Sequence, residues 1–226
     1  MKYYHSYRTH KISAYFFNPV DDELPEKYGH DFCKKTRDIV FTGSAYNFAG
    51  IERKDVIRYL LTRNDVNFFG GIENIVNANN IFHKIKRKFL SQGNRYNKRI
   101  SGEEYVAVIK SAKIGIGVNA IQTVPRYTSD RLQHFMSFGT FFLQFYFPEL
   151  EKFFNLKEEI VSFKSIYELE KYIDYYLKNP EQREKIARAG QCKILSCYNT
   201  KNITKMMLDI INTGNSTMFE WTDILS

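Results

Sequence analysis

Short apolar runs recur along this chain, and no two are close enough to be joined as a hairpin. They are Asp38–Ser44, Val66–Gly71, Lys113–Asn119, the run after Gly139, and Glu159–Phe163. Three of them, at Ser44, Gly71 and Asn119, end in residues that turn readily. Helix-length segments separate them. Continuous apolar strands need cover on both faces, and wide spacing needs crossover connections. The pattern predicts an α/β, doubly wound parallel sheet of Rossmann-like type.

The intervening segments carry helical spacing. Lys54–Thr62 places Val56, Ile57, Leu60 and Leu61 on one face, and Asn74–Gly93 does the same with Ile81, Ile85, Phe89 and Leu90. Ser101 with Glu104, and Ser165 with Glu168, have the spacing of capping boxes. Asn179-Pro180-Glu181 stops one helix and starts another that runs to about Ser196, and a last helix spans Thr200–Ile211. The glycines Gly115 and Gly117 inside a strand imply that something packs close to the backbone.

Thr128–Glu151 joins a capped helix, a glycine stop, a buried strand and, at Pro148-Glu149, an expected second helix start. A helix N-terminus beside strand ends is where such sheets bind phosphate. Arg131 adds a guanidinium there, and Gly43-Ser44 offers amides at a strand-to-helix turn. Arg126 and Arg53 are further candidate cations.

Composition sets outer limits. At 226 residues and 43 % hydrophobic, the chain can build a full core. Residues 1–35 lack a sustained period and read as an irregular arm, 36–212 as the folded body, and 213–226 as a tail holding the only tryptophan. His5, His10 and His30 in the arm do not have metal-site spacing. The net charge of +8 includes a dense patch at Lys84, Lys86, Arg87 and Lys88, which keeps a nucleic acid partner open. Cys33, Cys192 and Cys197 fit no zinc pattern, so a reduced, cytoplasmic protein is expected. No apolar run reaches the roughly 18 residues of a membrane span.

Four segments together resemble the C-terminal half of GT-B glycosyltransferases, and in particular the group of CgeB spore-maturation-like proteins. They are Asp38–Ser44, Ser101–Asn119, Ser129-Asp130-Arg131 through Gly139 to Phe147-Pro148-Glu149-Leu150-Glu151, and Tyr167–Gly190 with its Asn179-Pro180-Glu181-Gln182-Arg183. The likeness runs from about Asp38 to Ile211. It implies sugar transfer from a nucleotide-sugar donor to an unidentified acceptor, with no metal and no cofactor. It implies donor contacts from Gly43, Ser44, Asn119, Arg126, Ser129, Arg131, His134 and Glu149. Members of the group carry a glutamate that holds the ribose hydroxyls at the position of His134. They also carry an N-terminal Rossmann domain, which residues 1–35 are too short to supply; Phe16–Asp21 resembles the segment between the two domains. A partner chain supplying that domain, or a homo-oligomer, is therefore expected.

Three readings follow. The first is a nucleotide-sugar-binding glycosyltransferase domain. The second is a catalytically degenerate homologue or partner subunit, favoured by His134. The third is a nucleic-acid-associated, DNA-base glycosyltransferase, favoured by the charge.

Overall fold

The structure, a computed structural model, describes residues 13–29, 34–44, 50–71, 96–97 and 99–225. The expected helix at 74–93, its basic patch, and His5, His10, His30 and Cys33 lie outside the described residues. The described elements, numbered in chain order, begin with β1 (Ser13–Ala14), α1 (Glu23–Lys27), β2 (Arg37–Thr42), α2 (Ile51–Thr62), β3 (Val66–Phe69) and β4 (Tyr96–Asn97). They continue with α3 (Gly102–Ser111), β5 (Ala112–Gly117), α4 (Asp130–Ser137), β6 (Phe141–Phe145) and β7 (Val161–Phe163). The last are α5 (Ile166–Lys178), α6 (Pro180–Cys197), α7 (Thr200–Thr213) and β8 (Ile224–Leu225).

Six strands form one sheet in the order β4-β3-β2-β5-β6-β7, with every pairing parallel. The chain builds outward from β2 to β4, then returns to the other side of β2 and builds outward again from β5. The expected doubly wound sheet is thus observed. Its direction reverses between β2 and β5, and a crevice opens there at the strand C-termini.

Each face of the sheet has its own core. On one face Ile39, Phe41, Ile114, Ile116, Phe141 and Leu143 pack with Val56, Ile57 and Leu60 of α2 and Leu169 and Ile173 of α5. On the other, Val40 and Phe142 pack with Val108 and Ile109 of α3 and Leu132, Phe135 and Met136 of α4. Alternating side chains of a strand point to opposite faces, so continuous apolar runs satisfy both cores at once. The strand glycines have the expected reason. A Cβ on Gly115 would stand 2.2 Å from the Phe135 ring, so glycine lets α4 lie directly on β5.

The arm and the tail fold against this second core. β1 and β8 pair antiparallel. Phe17 is fully buried and stacks on Tyr198 at 4.5 Å, and Trp221 stacks on Phe219 at 4.7 Å. The amide of Val20 donates to Tyr198 O at 3.0 Å, and the amide of Thr200 donates to Val20 O at 2.8 Å. Burying a phenylalanine in this way contributes roughly 1.5–3 kcal/mol. The aromatic side chains hold two segments whose sequence has no period to announce structure.

Two local expectations are corrected. Pro148-Glu149 does not start a second α-helix. Glu149 takes a left-handed conformation (φ 70°) and only a 3-10 turn, Leu150–Lys152, follows. The Ser101 side chain makes no cap hydrogen bond. Ser165 does cap its helix, its hydroxyl accepting from the Glu168 amide at 3.2 Å. The Glu168 carboxylate reaches back to the Lys164 amide at 2.6 Å. Ser165→Ala should therefore cost about 1 kcal/mol of stability in a urea titration, and Ser101→Ala almost none.

Candidate functional site

The crevice at the reversal point holds a cavity of about 530 Å³. Its walls come from the end of β2 (Thr42, Gly43, Ser44), the end of β3 (Phe69, Gly70), the entry to α3 (Arg99–Gly102, Tyr105) and the first turns of α4 (Ser129, Asp130, Arg131, His134), with Arg53 of α2.

Two guanidinium groups form its floor. Arg131 donates from Nη1 to Thr42 O at 2.7 Å and from Nη2 to Val118 O at 3.2 Å. Arg53 is 1 % exposed and donates to Ser44 O from Nε (3.0 Å) and Nη2 (2.7 Å), and to Val118 O from Nη1. Both lie over the Phe41 ring, at 5.6 and 5.7 Å from its centroid. The carbonyls at the ends of β2 and β5 thus hold two like charges side by side, and the positive potential that remains favours an anion. Gly43 makes room for them. Its φ is +133°, and a Cβ there would stand 2.3 Å from Arg131 Nη1 and 3.0 Å from Arg53 Nη2.

The α4 N-terminus adds its amides and its positive dipole end to the same wall. Ser129 occupies the N-cap position, but its hydroxyl does not cap the helix; it accepts from Arg131 Nε at 3.4 Å. Asp130 is the acid at this rim, and its carboxylate accepts from Asn18 Nδ2 at 2.9 Å. His134 faces the Tyr105 hydroxyl, with Nδ1 3.3 Å from the phenol oxygen. Burial lowers the His134 pKa against the smaller opposing pull of Asp130, so the ring is neutral at pH 7. Thr42 Oγ1 is buried here beside the Tyr105 hydroxyl.

Of the residues expected to contact a donor, Gly43, Ser44, Ser129, Arg131 and His134 meet around this cavity. The Gly43 amide is not free for a ligand, because it donates to Phe69 O at 2.8 Å. Arg53 is a brace for strand ends as much as a cation. Asn119 follows β5 but turns away: Nδ2 donates to Tyr127 O, holding the 119–128 loop closed.

Arg126 and Glu149 do not line the cavity. They bind each other at 2.6 Å, and both have positive φ. Glu149 also pairs with Lys152 at 2.9 Å, and these partners hold its carboxyl below the usual range. Arg126 lies over the Tyr15 ring and reaches Trp221 O of the tail. Thr42, Arg99, Gly70 and Tyr105 also line the cavity and were not among the expected contacts. Gly70 lies at the end of an apolar run and Tyr105 inside a helical segment, and no local signal distinguishes those places from lining a site.

A parallel sheet that reverses beside an arginine-floored cavity defines a Rossmann-like domain whose crevice carries positive charge. Residues 53–209 match the glycosyl transferase-like family model, and the chain belongs to that family. No curated protein sequence matches it.

Among solved structures it is similar to HepE from Anabaena in complex with UDP-glucose. That pair is 11 % identical with a TM-score of 0.60, over 87 % of this chain and 56 % of that one. It is similar to sucrose-phosphate synthase from Thermosynechococcus elongatus at 14 % identity and TM-score 0.55, over 87 % and 49 % of the two chains. It also matches the C-terminal domain of a group 1 glycosyl transferase family protein (LpcC) from Francisella tularensis at 12 % identity and TM-score 0.52, over 81 % of this chain and 96 % of that domain. The chain therefore spans about half the length of HepE and of the synthase, and its fold is that of a GT-B C-terminal domain.

Proposed function

We propose that this chain is the donor-binding half of a glycosyltransferase and holds a nucleotide-sugar diphosphate in the cavity between β2, β5 and α4. The observation that carries the reading is Arg131, which stands at a helix N-terminus and bridges the ends of β2 and β5. The charge of a diphosphate grows as the sugar bond breaks, so fixed cations and helix amides at that point favour transfer. In this reading guanidinium groups and amides, not a metal ion, hold the diphosphate. The finer placement in the CgeB-like group rests on the Ser129-to-Glu151 pattern. The UDP-glucose complex of HepE supports a uridine nucleotide as the first ligand to try.

The acceptor site falls to another Rossmann-like domain, carried by a partner chain or by sequence beyond this one. Exposed Ile121, Val124 and Tyr127, on the loop that leads into α4, offer such a domain an apolar face.

Calorimetry with UDP, UDP-glucose, GDP and GDP-mannose, with and without EDTA, tests the donor reading. Wild type should bind at least one of them in EDTA, and Arg131→Ala should weaken that binding about 10- to 100-fold, the scale of one or two charge-assisted hydrogen bonds. A melting curve on the variant separates lost contact from lost fold. Wild type that binds none of the four at millimolar concentration ends the proposal. His134 favours a second reading, binding without turnover. Donor hydrolysis or sugar transfer by the isolated chain would exclude it.

A further inference from the structure

Tyr105 on α3 and His134 on α4 meet at one wall of the cavity, with their rings edge-on and 5.6 Å apart. The phenol oxygen lies 3.3 Å from Nδ1. Among the described residues the other ring nitrogen, Nε2, has no hydrogen-bond partner, while the ring itself lines the cavity. A phenol is a better donor than acceptor, and an unprotonated imidazole nitrogen is the strongest neutral acceptor nearby. The phenol proton therefore belongs on the bond to Nδ1. A neutral imidazole keeps one proton, and that proton then resides on Nε2.

We propose that Tyr105 fixes His134 in its Nε2–H form and makes it a specificity-determining hydrogen-bond donor, so that this wall selects an acceptor oxygen of an anionic ligand. The inference rests on the nucleotide-sugar reading of the cavity. A carboxylate at this position offers only acceptors and suits a pair of hydroxyls; the imidazole here offers the opposite polarity. It adds a donor to a floor that already carries Arg53 and Arg131.

The arrangement also makes binding pH-dependent. The titratable groups facing His134 are Asp130 on its own helix and Tyr105 on α3, whose phenol is pushed up by burial and stays neutral. Arg131 and Arg99 are the cations on the same walls. Burial disfavours the imidazolium in the empty site, and an anionic ligand favours it. Binding therefore tightens as pH falls.

The experiment uses UDP-glucose, whose diphosphate diester does not titrate between about pH 5.5 and 8, and measures its affinity calorimetrically across that range. Wild type should tighten about 5-fold from pH 8 to 5.5, while His134→Gln, which keeps a donor that does not titrate, should be flat. His134→Glu should bind about 10-fold more weakly than wild type at pH 8 because it places an anion against an anion. Tyr105→Phe should weaken binding about 3-fold at pH 8, where the proton is free to move to Nδ1. The difference from wild type should shrink as pH falls toward 5.5 and the anionic ligand favours the imidazolium, which donates from both nitrogens; a purely structural role for Tyr105 would weaken binding equally at both ends of the range. Tighter binding by His134→Glu, or equal pH slopes for wild type and His134→Gln, would overturn the proposal while leaving the donor reading intact. Absence of binding by wild type at every pH overturns both.

Discussion

Arg53→Met should lower the unfolding free energy by about 2–4 kcal/mol and abolish measurable nucleotide binding. The Arg53 side chain is enclosed, and its three donating nitrogens serve Ser44 O and Val118 O at the ends of the two central strands. Removing it takes from Ser44 O the donors described above, at a cost of about 1–3 kcal/mol, and leaves Val118 O with only the longer bond from Arg131 at 3.2 Å. Relief of the buried charge opposes this, since methionine has no desolvation penalty and no repulsion with Arg131. The carbonyls win, because they stay in place whatever occupies position 53. A urea titration with unchanged slope and a lower midpoint is the expected result. An unchanged midpoint would mean that water replaces the guanidinium without cost, and that Arg53 is a ligand group only.

Gly43→Ala is expected to be nearly as severe at the site and to show a different signature. A φ of +133° disfavours any L side chain by about 1–3 kcal/mol. The added methyl would also stand 2.3 Å from Arg131 Nη1, so the guanidinium must move. Gly70 backs onto the same point, its own Cβ position lying 2.3 Å from Gly43 O, so the backbone cannot yield toward β3. Stability should fall by about 2 kcal/mol while nucleotide affinity falls at least 10-fold, because Arg131 loses both carbonyl partners. Gly214→Ala is the control: its φ is also positive (75°), but it ends α7 and does not line the cavity, so it should cost stability and spare affinity. Equal affinity losses in the two variants would show that general strain, not displacement of Arg131, weakens the site.

The strands were legible because a parallel sheet buries both faces, which forces runs such as Ile39-Val40-Phe41 to be apolar throughout. Helix starts were legible where a cap is made locally, as at Ser165, and misleading where it is not, as at Ser101. The Pro148-Glu149 start failed because Glu149 is held in a left-handed turn by Arg126 and Lys152. Arg126 lies 23 positions away in sequence, outside any local pattern. The arm and the tail were illegible for a similar reason. Phe17, Tyr198 and Trp221 have no mutual period, and only the closed chain brings their rings together.

The sequence alone determined the α/β class, the five principal strands and the place of Arg131 at the head of α4, because period and end signals are local. Only the tertiary structure decided the strand order, and with it which residues share the crevice. Arg53 and Arg131 come from opposite sides of the reversal and meet because β2 and β5 pair. The same pairing separates Arg131 from Arg126, five residues earlier, which turns to Glu149 and the tail. The physical reason is that hydrogen bonds between strands, not proximity along the chain, set which side chains face one cavity.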